Sequence, residues 1–135
     1  MPVAFSTRMA ELERINRYTR YALAFVFIYH GLVPKLLWLD PLETAWVVRH
    51  GVPISAAVFA GLAGIVEIAV GLSIALLRSA LVPVYIAAAL LIVLLADAAL
   101  FAPATLVGAF NPVTTNIAAL ALCAVIHTSH KAIAG

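Results

Sequence analysis

Four apolar stretches separated by short polar breaks dominate the chain, at about residues 18–33, 55–77, 81–101 and 112–126. Runs of roughly 18 or more apolar residues mark helices that cross a bilayer, so the pattern predicts an all-α integral membrane four-helix bundle. The first stretch is slightly short. Pro34 disfavours helical geometry at Val33 and is expected to bend the chain, because Lys35-Leu36-Leu37-Trp38 continues it. Ahead of this stretch, Ser6 or Thr7 is an N-cap candidate, and Met9, Leu12 and Ile15 stand about one turn apart. Two readings of that segment stand: a short interfacial helix and a cytoplasmic extension of the first span.

Asp40-Pro41 opens a short amphipathic segment, Leu42 to His50, which carries Glu43, Trp46, Arg49 and His50 and is placed on the outer surface; Gly51-Val52-Pro53 closes it. In the second span Gly64, Glu67 and Gly71 share one helix face, and small residues there admit a neighbouring backbone. Glu67 is therefore expected to look inward. The turn at Arg78-Ser79 is short enough to make spans two and three antiparallel neighbours. Asn111 is a candidate N-cap with Pro112 at the first helical position. The fourth span is expected to end near Ile126, leaving His127, His130 and Lys131 as a solvated tail.

Composition supports the membrane. Of 135 residues, 65% are hydrophobic and 10% charged, against about half apolar and about a quarter charged in a soluble domain. So small a globule cannot hide that excess, and the chain reads as one membrane domain over residues 1–135. The formal charge of +2 gives no reason to expect nucleic acid. Arg8, Arg14, Arg17, Arg20, Arg78 and Lys131 fall on one side of the expected topology, Lys35 and Arg49 on the other, so both termini are expected in the cytoplasm. The N-terminal segment does not read as a cleavable signal. Cys123, the one cysteine, excludes an internal disulfide.

The candidate chemistry lies in the few polar residues inside the apolar runs: His30 and Lys35 around the first bend, Glu67, Asp97, and Asn111 and Asn116 on the fourth span. At about 1.5 Å per residue, His30 and Glu67 lie about 18 Å from the inner and outer starts of their spans, and Asp97 roughly 24 Å from the inner side. In a hydrocarbon core about 30 Å thick these depths form one layer. A charge at mid-bilayer costs at least about 2.5 kcal/mol, so Glu67 and Asp97 are expected either to pair with His30 or Lys35 or to be protonated. The cluster is either glue between helices or a binding pocket open to the outer face. His127 and His130 are spaced for a metal but sit in the expected tail, so no metal site is assigned. No nucleophile elbow, phosphate loop or HExxH motif is present.

The run Tyr29-His30-Gly31-Leu32-Val33-Pro34-Lys35-Leu36, the glycine-flanked Glu67, Asp97, and Asn111-Pro112-Val113-Thr114-Thr115-Asn116 resemble the DoxX-like family of small four-helix membrane proteins, from about Arg17 to Ala124. The resemblance implies a multi-pass protein of the bacterial inner membrane. Members are linked with membrane oxidoreductases, including a thiosulfate and quinone system; some are fused to soluble NAD-dependent domains, and other relatives are chaperones or cargo receptors. The fused domains have His-Pro and Lys-Asn where this chain has Asn111-Pro112 and Thr115-Asn116, so no catalytic residue is carried over. Three functions follow. The first is an accessory subunit of a redox enzyme, more an accessory than an enzyme alone, whose polar pocket takes a small ligand such as a quinone head group. The others are a non-catalytic assembly or chaperone-type protein, and a small proton-coupled transporter that would need a homo-oligomer.

Overall fold

The computed structural model describes residues 2–134. Among them are five α-helices and no strand: α1 (Pro2–Leu32), α2 (Pro41–Arg49), α3 (Ala56–Leu76), α4 (Val82–Phe101) and α5 (Pro112–Ala134). Three of these, α3, α4 and α5, are each long and apolar enough to cross a membrane. Residues 5–37 and α2 meet the same test only together, as a pair bent by 85°. The helix exteriors carry large apolar side chains, among them Phe25 (66% exposed), Leu62, Ile92 and Leu100 (75% exposed). Such a coat has no favourable partner in water and a matching one in lipid. The chain is therefore a multi-pass membrane protein.

Each element begins where its sequence allows. Asp40 caps α2, its side chain accepting from the Leu42 N–H at 2.7 Å, with Pro41 at the first helical position. Ser55 caps α3 and Asn111 caps α5 in the same way. Helix α1 runs unbroken from residue 2, so the segment around Met9, Leu12 and Ile15 is an extension of the first apolar stretch and not a separate interfacial helix. At Pro34 the missing N–H and the ring's clash with the His30 carbonyl forbid ordinary helical bonding. The chain answers with one π-helical turn, Val33–Leu37, closed by the Trp38 N–H on the Val33 carbonyl at 2.9 Å. Gly51, at φ 59°, supplies the left-handed residue that ends α2.

Helix α1 packs most extensively on α3 and next on α5; α4 lies against α5, and α2 against α3. The Arg78-Ser79 turn does bring α3 and α4 into contact, but less extensively than α1 meets α3. Leu23, Ala24 and Phe27 of α1 form the core with Val70, Ile74, Val84, Ala87, Leu91, Ala119, Cys123 and Ile126. Glycines set the α1–α3 distance. A Cβ on Gly64 would stand 2.5 Å from the Gly31 carbonyl oxygen, one on Gly31 would collide with the Gly64 carbonyl, and one on Gly71 would stand 2.9 Å from the Ala24 carbonyl.

At the end of the molecule holding the α3–α4 turn, Arg20 is 1% exposed, although charge counting treats it as a solvated basic residue. Its guanidinium donates to the Asn16 side-chain oxygen at 3.0 Å and to the Ile74 and Ala80 carbonyls at 3.3 and 3.0 Å. These carbonyls belong to the last turn of α3 and the loop after it, where a helix leaves acceptors unfilled and its dipole favours a cation. Asn16 donates onward to the Ile126 carbonyl and to Ser129 Oγ at 2.8 Å. The helix itself runs past the expected end of the fourth span near Ile126. Helix α5 continues to Ala134, Ser129 is 5% exposed, and His127 and His130 are half-buried, because Asn16 draws that turn onto α1.

Gly31→Ala or Gly64→Ala is expected to cost about 1–3 kcal/mol by overpacking against backbone, read as a lowered thermal midpoint in detergent. Gly108→Ala, where a Cβ would meet only ordinary contact, serves as the control.

Candidate functional site

The close α1–α3 contact decides where Lys35 goes. It lies one turn beyond Gly31, on the π-helical turn, so its side chain runs along α3 to Glu67, one turn beyond Gly64. Lys35 Nζ donates to Glu67 Oε1 at 2.6 Å, with the two side chains 9% and 11% exposed, and stands 3.6 Å from Glu43 of α2. One ammonium thus lies between two carboxylates. Burial raises the Glu43 carboxyl above its ordinary value, and the nearby Lys35 charge opposes that shift.

Only one oxygen of Glu67 is used. Among the described residues, Oε2 is a buried side-chain atom with no hydrogen-bond partner. Glu67 lines a cavity of about 40 Å³ together with His30, Thr115 and Asn116, walled by Phe27, Leu91 and Leu94. That volume admits water but not a ring. His30 also lines a second, larger hollow of about 290 Å³, shared with Tyr29, Val33, Pro34, Trp38 and Asp40. The His30 ring meets Tyr29 edge-on and makes no hydrogen bond to the described residues, so both ring nitrogens are available. Asn116 donates to the Leu91 carbonyl at 3.3 Å.

Asp97 departs from its expected pairing with His30 or Lys35. Trp46 Nε1 donates to Asp97 Oδ2 at 2.6 Å, and His50 Nε2 lies 2.9 Å from Oδ1. The rings of Trp46 and His50 stack at 4.1 Å, Phe59 stacks on Trp46 at 5.1 Å, and Phe101 meets His50 edge-on at 4.8 Å. The 85° bend after Trp38 folds α2 back towards α3 and the end of α4, which puts both donors within reach of Asp97.

The structure therefore brings His30, Glu67 and Asn116 to one cavity with Lys35 beside it. Asp97 is placed in a separate cluster under α2, and Asn111 is a cap that bonds Thr114 N–H and the Gly108 carbonyl. Sequence reasoning missed Glu43, Trp46 and His50 by treating α2 as a surface segment. Their spacing, i, i+3 and i+7, aligns them on one helix face and is the signal that marks them. His127, set aside in the expected tail, bonds the Tyr85 hydroxyl at 2.9 Å. No group of three His, Cys, Asp or Glu suited to a metal ion occurs among the described residues.

Lys35→Met strands Glu67 and is expected to destabilise the protein by about 3–5 kcal/mol, whereas Lys35→Met with Glu67→Leu recovers most of that loss. Thermal unfolding of the two single variants and the double variant measures the coupling.

Searches of curated proteins and of solved structures return no significant match. The model of the DoxX-like family matches residues 24–124, from the last third of α1 through most of α5, with the Lys35–Glu67 pair, the cavity and α2 all inside the match, and the chain belongs to the DoxX-like family.

Proposed function

We propose that this DoxX-like protein is an accessory subunit of a membrane redox pathway, binding a small ligand such as a quinone head group in the groove beside His30. In this reading the chain is one membrane domain of four spans, α1 joining α3, α4 and α5, with both termini in the cytoplasm, α2 on the outer face and the bacterial inner membrane as its location. The observation that carries it is His30, which has no hydrogen-bond partner among the described residues and lines both the groove and the small cavity that holds the unused, buried oxygen of Glu67. A buried polar atom without a partner costs about 1–3 kcal/mol, and the same fold satisfies Arg20 with several acceptors at its other end, so it can complete a polar network where structure alone requires one. The incomplete network at Glu67 fits a small cavity completed by water, which His30 joins to the groove.

The groove of about 290 Å³ is near the lower end of small-molecule sites, roughly 300–1,000 Å³. Its apolar wall, Val33, Pro34 and Trp38, suits a flat ring, and His30 is placed to donate a hydrogen bond to a ring oxygen. Lys35 and Glu67 then act one layer behind, holding the π-helical turn that forms the wall, while Asn116 and water in the cavity complete the site. A ligand with an apolar tail would enter from lipid, which the exposed Tyr29 and Leu32 face.

A second reading is favoured by the Gly31–Gly64 contact: Lys35–Glu67 clamps α1 on α3, and the protein assembles or retains a membrane partner without binding a small molecule.

Quinones tested on purified protein separate the two. Ligand at about 100 times its Kd should stabilise the fold by roughly 2.7 kcal/mol, raising the thermal midpoint, and His30→Ala should abolish the shift while leaving the unliganded midpoint unchanged. No shift with any quinone sinks the ligand reading and leaves the assembly role.

A further inference from the structure

The formal charge of +2 is the difference of two unlike ends. Asn16 bonds Ser129 and Arg20 bonds the Ala80 carbonyl, so the first half of α1, the α3–α4 turn and the last turns of α5 share one end of the molecule. With histidines counted neutral, that end carries six basic side chains, Arg8, Arg14, Arg17, Arg20, Arg78 and Lys131, against Glu11 and Glu13, a net +4. The opposite end carries two basic side chains against four acidic ones, a net −2. The close acid–base contacts among the described residues, Lys35 with Glu43 and Glu67 and His50 with Asp97, all lie at that opposite end. Among the described residues no arginine is paired with a carboxylate.

The arginines are not equivalent. Arg20 serves the fold, but its acceptors, the Asn16 oxygen and the Ile74, Leu77 and Ala80 carbonyls, are neutral, so its charge still acts on the space in front of the turn. Residues 77 and 80 both accept from that guanidinium, which folds the turn round it with Arg78 between them, exposed. Arg17, Arg20 and Ala24 stand at i, i+3 and i+7, on the face of α1 that meets α3, where the Ala24 carbonyl lies against Gly71. Arg17 is therefore one helical turn beyond Arg20 on the side of the same α3–α4 turn. It is exposed, and its guanidinium lies over the Tyr18 ring at 5.8 Å. That ring is 61% exposed, and a tyrosine so placed belongs at the head-group level of a bilayer.

We propose that the α3–α4 turn is a binding site for an anionic phospholipid, whose head-group phosphate lies between Arg17 and Arg78. Guanidinium groups present paired N–H donors that match phosphate oxygens. Beside the turn, Leu76, Leu77 and Val82 are exposed and apolar, a surface for the acyl chains that a soluble anion cannot use. A zwitterionic head group brings its own cation to a net-positive site, so charge selects the anionic lipid. The site is at the far end from the groove beside His30 and stands whatever that groove takes.

Native mass spectrometry of the full-length protein from a neutral detergent tests this, with phosphatidylglycerol and phosphatidylcholine of the same chains as probes. The wild type should retain phosphatidylglycerol in preference. Arg17→Gln with Arg78→Gln should weaken phosphatidylglycerol binding by roughly thirtyfold, the scale of two arginines at a head-group surface, and leave phosphatidylcholine binding and the thermal midpoint in phosphatidylcholine unchanged. Arg8→Gln with Lys131→Gln removes the same charge from the same end but away from the turn. Arg8 is nine residues from Arg17, on the opposite face of α1, and Lys131 is two from Ser129, turned away from α1. That variant should keep the preference. No preference in the wild type, or equal losses in the two double variants, overturns the site. Displacement of the lipid by millimolar inorganic phosphate would mark a soluble-anion site and overturn the lipid as its occupant.

Discussion

One buried ion pair, Lys35–Glu67 at 2.6 Å, organises the half of this molecule that carries α2. Both charges sit beside the place where α1 and α3 touch backbone to backbone through Gly31 and Gly64. The order of cause runs from proline to pair. Pro34 forces the π-helical turn, the turn rotates Lys35 towards α3, and the glycines let α1 come close enough for the ammonium to reach the carboxylate. Removing either charge from so dry a place would strand the other, so the two helices hold one register.

Two buried polar centres then differ in kind. Around Arg20 and Asn16, donors meet backbone carbonyls and a serine hydroxyl that a helix end leaves open. That centre joins α1 to α3 and α5 and needs nothing else. Around Glu67 one oxygen is left over beside a hollow that also borders His30 and Asn116. The contrast within one fold is the physical reason to read one centre as architecture and the other as a site.

Much of this was legible in the chain. The three long apolar helices, the bend at Pro34, the cap at Asn111 and the inward face of Gly64, Glu67 and Gly71 follow from periodicity and local stereochemistry, which neighbouring residues alone decide. What was hidden depends on residues far apart in sequence. Arg20 reads as a surface charge because its acceptors, Ile74 and Ala80, lie 54 and 60 positions away. Asp97 reads as a partner for His30 because nothing local shows that the 85° bend folds Trp46 and His50 over it. His30, Glu67 and Asn116 do line one cavity, but Asn111 serves its own helix end.

The measurement that bears most directly on the site is an experimental structure of the protein in a lipid nanodisc at a resolution that shows ordered water. Density for a water or a ligand atom within hydrogen-bonding distance of Glu67 Oε2, between it and His30 or Asn116, is the expected result. A Glu67 with both oxygens bonded to protein groups, and the hollow closed by the side chains around it, would contradict the site and leave the ion pair a purely structural clamp.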